Sequence, residues 1–492
     1  MTAIRIAPRL HSWADILVPL GFAGAAAISG LAIAGGKVTH IAIILGGLLS
    51  LVLLQIPAIA MWLVLVGSLA IVGPVAFFIP ALDKIPWLFS LLTLFLTGAA
   101  VVYAATMSRS ANGRMPAFIP LFAIFVTYAI ASVLWSDEML GQGVGGIKRV
   151  AQGTGVMFAL ATYPFASRNV KRWVVLILVL SIAHLPLAIY QRLELSQVLV
   201  GGADAIVGLL ELDREGRGAS GVLALMQMLV VGGIIAFARE SLLKWPIAFL
   251  LMALVLAPLI FSEVNVIFIL TPLVVIVAYA DLIRKRPILL MFGLGVFAAG
   301  FVMMGSLYLV WQQTAWVGGE QITMEKRLEN IIAYNFGDRG YNNPGDLNRN
   351  TVFTYWADHH GLQNPDEWAF GHGVGSTNLF GDSSMPLLAV RHGGKSLGLS
   401  TLSQYLWELG IVGLALYLLA WWSAFTTGIA NLRRSRPGFW RALDRSLVVA
   451  VVVLGVGLIY NASLSGILSA QVLAGLVLGL IAWRTRFGDT AR

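Results

Sequence analysis

Long apolar runs separated by short polar turns recur along almost the entire chain. They fall at about 13–35, 39–56, 58–80, 86–106, 116–134, 147–165, 173–190, 220–238, 245–261, 264–281, 288–311, 401–423, 446–461 and 467–483. Most are roughly 17–24 residues long, the length of a helix that crosses a bilayer. None alternates apolar and polar positions as barrel strands do. A segment in lipid must satisfy its own backbone, so each run predicts a helix. The run at 147–165 is among the less regular, with Gln152, Gly153 and Gly155 inside it. Between the eleventh and twelfth runs lies a polar stretch, from about Gln312 to Ser400. The expectation is an all-α polytopic membrane bundle of about 14 transmembrane helices. Residues 1–311 hold helices one to eleven, 312–400 a periplasmic loop domain, and 401–492 the last three helices and a cytoplasmic tail.

Composition supports that class. The 492 residues are 58% hydrophobic and 12% charged, against about 25% charged in soluble domains. Cysteine is absent, which excludes disulfides, thiolate nucleophiles and cysteine-ligated zinc. The first run begins near Trp13 and is long enough to remain as a span, so no cleavable signal peptide is expected. The net charge of +9 would suit nucleic acid, but 20 of the 33 Lys/Arg fall on one side once the spans are drawn. That is the positive-inside pattern, with both termini cytoplasmic and the large loop outside the cytoplasmic membrane, which in a Gram-negative cell is the periplasm; no nucleic acid is expected. No internal repeat points to an inverted-repeat transporter.

Three basic patches nevertheless stand at span ends on the outer face: Lys148 and Arg149; Arg214 and Arg217; and Arg349, Arg391 and Lys395 in the large loop. Any one of these side chains is explained by snorkelling. Three patches on the face where cations are disfavoured favour binding of an anion such as a pyrophosphate head group. Glu263, at the tip of a short hairpin, is either an interfacial turn residue or a group that orients or deprotonates a sugar hydroxyl. The loop holds four of the seven histidines. His359 and His360 are adjacent, so their side chains diverge, and no metal site or cofactor is expected, although Asp358, Asp366 and Asp382 offer oxygen ligands. His372 sits in a glycine-rich turn, Gly371–Gly375. His392 sits between Arg391 and Lys395, whose charges favour the neutral imidazole a base needs. Both histidines are otherwise solvated loop residues. The glycine turn lacks the Lys-Ser/Thr of a phosphate loop, so no nucleotide chemistry is expected. Trp356 and Trp368 are expected to pack in a core, with stacking on sugar rings the alternative.

Three motifs give the chain a resemblance to a known family. The first is SVLWSD at Ser132–Asp137. The second is RNTVFTYW at Arg349–Trp356, followed by AFGHGVGSTN at Ala369–Asn378. The third is LSQYLWELGIVG at Leu402–Gly413. In order and topology the chain resembles the O-antigen ligase/polymerase superfamily of integral membrane glycosyltransferases, which includes O-antigen ligases and Wzy-type polysaccharide polymerases. Arg217 also falls where family members place an arginine before a span. Where ligases carry His-Asn this chain has Leu399-Ser400, and where the family carries Ser-Arg it has Ser262-Glu263.

The resemblance implies nucleotide-independent transfer of an undecaprenyl-diphosphate-linked glycan to an acceptor hydroxyl. Because polymerases vary more than ligases, those two departures favour a polymerase of repeat units. The alternatives are a ligase acting on lipid A core, and a non-catalytic glycan-binding or transport protein. Arg149, Arg217 and Arg349 are assigned to the diphosphate, with Arg391, Lys395 and His372 as further substrate contacts. His392 or Glu263 is assigned as the base. The implied partners are the lipid-linked glycan, the bilayer and, for a polymerase, a chain-length regulator protein.

Overall fold

A computed structural model of the chain describes residues 56–79, 82, 84–107, 114–136, 140–195, 206–211, 219–262, 264, 266–285, 329, 346–361, 364–377 and 386–488. The expected spans at 13–35 and 288–311, and nearly all of that at 39–56, lie outside these residues. So do Arg214, Arg217, Glu263 and Asp382.

Among the described residues the secondary structure is entirely helical. In chain order the helices are α1 (Pro57–Phe78), α2 (Ile85–Met107), α3 (Phe118–Ala131, continued by a 3-10 turn Ser132–Trp135), α4 (Leu140–Ala151), α5 (Thr154–Thr162) and α6 (Ser167–Leu195). Then come α7 (Ala219–Arg239), α8 (Trp245–Ser262), α9 (Ile267–Ala278) and α10 (Ala280–Lys285). The polar stretch contributes α11 (Thr351–His359), α12 (Pro365–Phe370) and α13 (Leu387–Arg391). The chain ends with α14 (Thr401–Arg434), α15 (Phe439–Tyr460), α16 (Ser463–Gly466) and α17 (Leu468–Phe487). Among the described residues nine helices are long and apolar enough to cross a membrane. The chain is a helical membrane protein.

Burial separates the centre of the bundle from its rim. The apolar windows of α7, α15 and α17 are 83%, 72% and 89% buried, whereas that of α8 is 28% buried. The central helices pack on one another, and α14, α5 and α9 are laid against them. Small residues set the closest approach. A side chain at Gly479 of α17 would come within 3.0 Å of the Met157 backbone in α5, the close contact that membrane helices use where hydrophobic driving force is lacking.

Two expected spans differ from the pattern. The run at 147–165 is broken into α4 and α5 at Gln152-Gly153. A side chain at Gly153 would overlap Gln471, and Gln471 in turn donates to the freed Arg149 carbonyl at 2.6 Å. Gln152 is fixed by Ser90 Oγ, which donates to its Oε1 at 2.8 Å. The break is thus satisfied internally, as lipid requires. The run at 264–281 yields the 12-residue α9, about 18 Å long and short of a bilayer core of about 30 Å. Arg239 closes it, donating to the Ala278 carbonyl at 2.6 Å and stacking on Tyr279.

Arginines at one end of the bundle are paired. Arg445 meets Glu240 at 2.7 Å, Arg239 meets Asp281 at 2.7 Å, and Arg484 meets Asp444 at 2.9 Å. The Arg445 and Glu240 side chains are 4% and 9% exposed. Removing one partner strands a buried charge. Glu240→Ala is therefore expected to lower stability by about 3 kcal/mol, read by thermal unfolding in detergent. An unchanged midpoint would show that water already solvates the pair.

At the opposite end of α14 a small second core joins the polar stretch to the bundle. Leu347, Val352, Trp356, Leu388 and Leu397 pack with Leu406 and Trp407 of α14. The first turns of α14 therefore complete the core of the 346–400 region.

Candidate functional site

α14 is broken at Gly410, whose backbone has φ 64° and ψ −168°. A non-glycine residue rarely adopts that conformation. The break frees carbonyls at Trp407, Glu408 and Leu409, and the surrounding chain takes them up. The backbone N–H of His372 donates to the Trp407 oxygen at 3.1 Å and that of Gly373 to the Glu408 oxygen at 2.8 Å. The Tyr128 hydroxyl donates to the Leu409 oxygen at 2.9 Å. Gly371, at φ 70°, lies so close that a Cβ there would stand 2.5 Å from the Gly410 nitrogen. Val374 N–H then donates to Ser132 Oγ at 2.9 Å. The glycine turn is an interlock between helices, and the segments Ser132–Ser136, Gly371–Thr377 and Trp407–Gly410 meet in it.

Below the interlock lies a buried polar layer. Glu408 is fully buried. Its carboxylate accepts from Thr377 Oγ1 at 2.6 Å and Gln404 Nε2 at 3.1 Å, and Arg149 acts on it electrostatically. Ser465 Oγ donates to Gln404 Oε1 at 2.6 Å. Lys148 stands 4.4 Å over the Trp87 ring. An apolar cavity lies among the neighbouring helices. Phe122, Tyr405, Tyr417 and Trp421 line one side, and Val150 and Gln471 border it next to Arg149. Arg149 is partly buried and its charge acts on a buried carboxylate, unlike a cation in a solvated loop.

Beside the interlock, four imidazoles surround Trp407 and Tyr355. His372 stacks on the Trp407 indole, and His392 meets it edge-on with centroids 5.0 Å apart. His392 Nδ1 is 3.2 Å from the Tyr355 hydroxyl, and Lys395 lies 5.5 Å over the Tyr355 ring. His359 packs on Tyr355 and His392, whereas His360 turns to Trp356 and His372. Adjacent side chains do diverge here, each into a separate contact. Burial pushes His392 down to about 4, with His359, His360 and Arg391 adding to the effect. The expected cause, flanking cations, therefore ranks behind desolvation.

The structure brings His372 and His392 to one indole and sets Arg149 where its charge acts on Glu408. Arg349 stands 4.2 Å over the Tyr460 ring at the end of α15. Arg391 is exposed. Trp356 packs in the second core and Trp368 is 40% exposed. Asp358 and Asp366 are exposed. Glu408, Thr377, Gln404, Gln471 and Trp407 were missed as individual residues. A carboxylate inside an apolar helix is costly, and that signal alone would have singled out Glu408. Glu367 was also missed. It comes together with His360 and His372 so that one ligand atom from each lies within 4.8 Å of the others. No family model matches the sequence, and no curated protein matches it at a significant level.

Proposed function

We propose that the protein polymerises oligosaccharide units carried on a lipid diphosphate, at the outer face of a bacterial inner membrane. The observation that supports this best is Arg149, a partly buried cation whose charge acts on the buried Glu408 carboxylate, one residue from Val150 in the wall of an apolar cavity. A lipid diphosphate needs that pairing of guanidinium and apolar space. The family resemblance is carried by the three motifs whose segments meet at the interlock.

In the proposed reaction Arg149, Arg217 and Arg349 hold the diphosphate. An acceptor hydroxyl oxygen bonds to the anomeric carbon while the bond from that carbon to the phosphate oxygen breaks. Its electron pair leaves on the diphosphate, where guanidinium charge stabilises it. The hydroxyl proton goes to a base. His392 serves when its Nδ1–H donates to the Tyr355 oxygen, which leaves Nε2 with a lone pair. Its carboxylate-like basicity suits glycosyl transfer, where carboxylates act as general bases.

Because His392 titrates near 4 rather than near 6.5, it stays neutral as pH falls from 8 to about 5. The initial rate is expected to hold over that range and to decline only toward pH 4. A descending limb centred near 6.5 would exclude His392 as the base. His392→Ala is expected to lower the rate about 100-fold.

The function is tested in cells lacking the protein, by gel analysis of surface glycan. Loss of long polymer, restored by the intact chain, is the expected result. Polymer that is made but left unattached would identify a ligase instead.

A further inference from the structure

We propose that His360, Glu367 and His372 form a binding site for one divalent transition-metal ion of the zinc class. The three residues come from different segments: the C-cap that follows α11, the first turn of α12, and the glycine turn. Their ligand atoms lie within 4.8 Å of one another.

The two imidazoles meet nitrogen to nitrogen, His360 Nε2 standing 2.7 Å from His372 Nε2. His360 Nδ1 is 3.1 Å from the Trp356 carbonyl. A carbonyl can only accept, so Nδ1 carries the proton and the neutral ring presents its Nε2 lone pair to His372. This outer hydrogen bond is the arrangement that orients metal-binding histidines. Aromatic walls fix both rings: His360 stacks on Trp356 and His372 on Trp407. The His372 backbone is also tied to α14 through the Trp407 carbonyl.

Two imidazoles and one carboxylate are the donor set of a three-ligand zinc site that keeps a fourth position for water or another oxygen. Hard cations such as Mg2+ or Ca2+ take oxygen cages and would be rejected. Tetrahedral bonds of about 2.0–2.1 Å place two ligating nitrogens about 3.3 Å apart, so the pair need open by only about half an ångström. The ion would pin α11, α12 and the glycine turn together beside the α14 break. The proposal does not depend on the glycan reading, and its readout is metal binding rather than activity.

The test uses the full chain, purified in detergent and stripped with chelator, then titrated with Zn2+ against a chromophoric competitor. One ion per chain is expected. Glu367→Gln and His372→Gln are each expected to weaken binding at least about 30-fold, and His359→Gln to change it less than about threefold. Co2+ bound to the unaltered protein is expected to give the intense visible bands of a four-coordinate site, a result that needs no variant to fold. Absence of stoichiometric binding, or equal affinity in His372→Gln, would overturn the proposal and leave a hydrogen-bonded histidine pair. Stoichiometric binding without glycan transfer would leave the metal site standing while the polymerase reading failed.

Discussion

Gly410→Ala is expected to dismantle the interlock and abolish function. Residue 410 sits at φ 64° and ψ −168°, where an L side chain costs about 1–3 kcal/mol in backbone strain. The new Cβ would also fall onto the Ala369 carbonyl oxygen and within 2.7 Å of the Gly371 nitrogen. Neither is the end of a flexible side chain, so backbone must move. That displaces the hydrogen bonds from His372 and Gly373 to α14, each worth about 1 kcal/mol net. The sum is about 3 kcal/mol or more. Limited proteolysis should show faster cleavage between 346 and 400, and the thermal midpoint in detergent should fall. Gly455→Ala is the control, since a Cβ there meets nothing within 4 Å. Equal protease resistance in Gly410→Ala and Gly455→Ala would show that the break in α14 carries no such constraint.

Arg149→Ala and Arg349→Ala are each expected to reduce polymer formation at least about 100-fold while the protein still inserts. The two reach that outcome differently. The Arg149 charge acts on Glu408, so its loss also removes a cation that favours that buried carboxylate, and some loss of stability accompanies the loss of rate. Arg349 is half-buried over Tyr460, and its removal gives up that ring contact rather than a cation acting on Glu408. Lysine at either position keeps a charge without the planar fork and should restore only part of the rate. Arg217→Ala is expected to behave like Arg349→Ala. Chain-length profiles, read alongside protein level in the membrane, check all three. Wild-type lengths from either Arg149→Ala or Arg349→Ala would refute the role assigned to that residue.

Helix identity was legible from length and apolarity alone, as α2, α7, α15 and α17 illustrate. The breaks were not. α4 and α5 separate because Gln471 and Gly475 of α17 press on Gly153, and α14 breaks because the glycine turn replaces its internal hydrogen bonds. Both causes lie hundreds of residues away in sequence or across a polar loop, beyond any local period. The alternating glycines of 371–375 were visible, but their purpose was hidden in what approaches them. The site was legible in part. Basic residues at span ends pointed to Arg149, yet nothing local revealed that its charge acts on Glu408. His372 and His392 were picked separately, and only the fold brings both to Trp407. The pairing of His360 with His372 was equally hidden, because residues at that spacing meet only through the turn after α12.

Purified protein supplied with a defined undecaprenyl-diphosphate-linked repeat unit tests the central claim most directly, with glycan sizing and detection of released undecaprenyl diphosphate. The account predicts a ladder of lengthened lipid-linked chains, one lipid diphosphate released per bond formed, and inhibition by free prenyl diphosphate. Folded protein that neither lengthens the glycan nor binds the lipid diphosphate would contradict it.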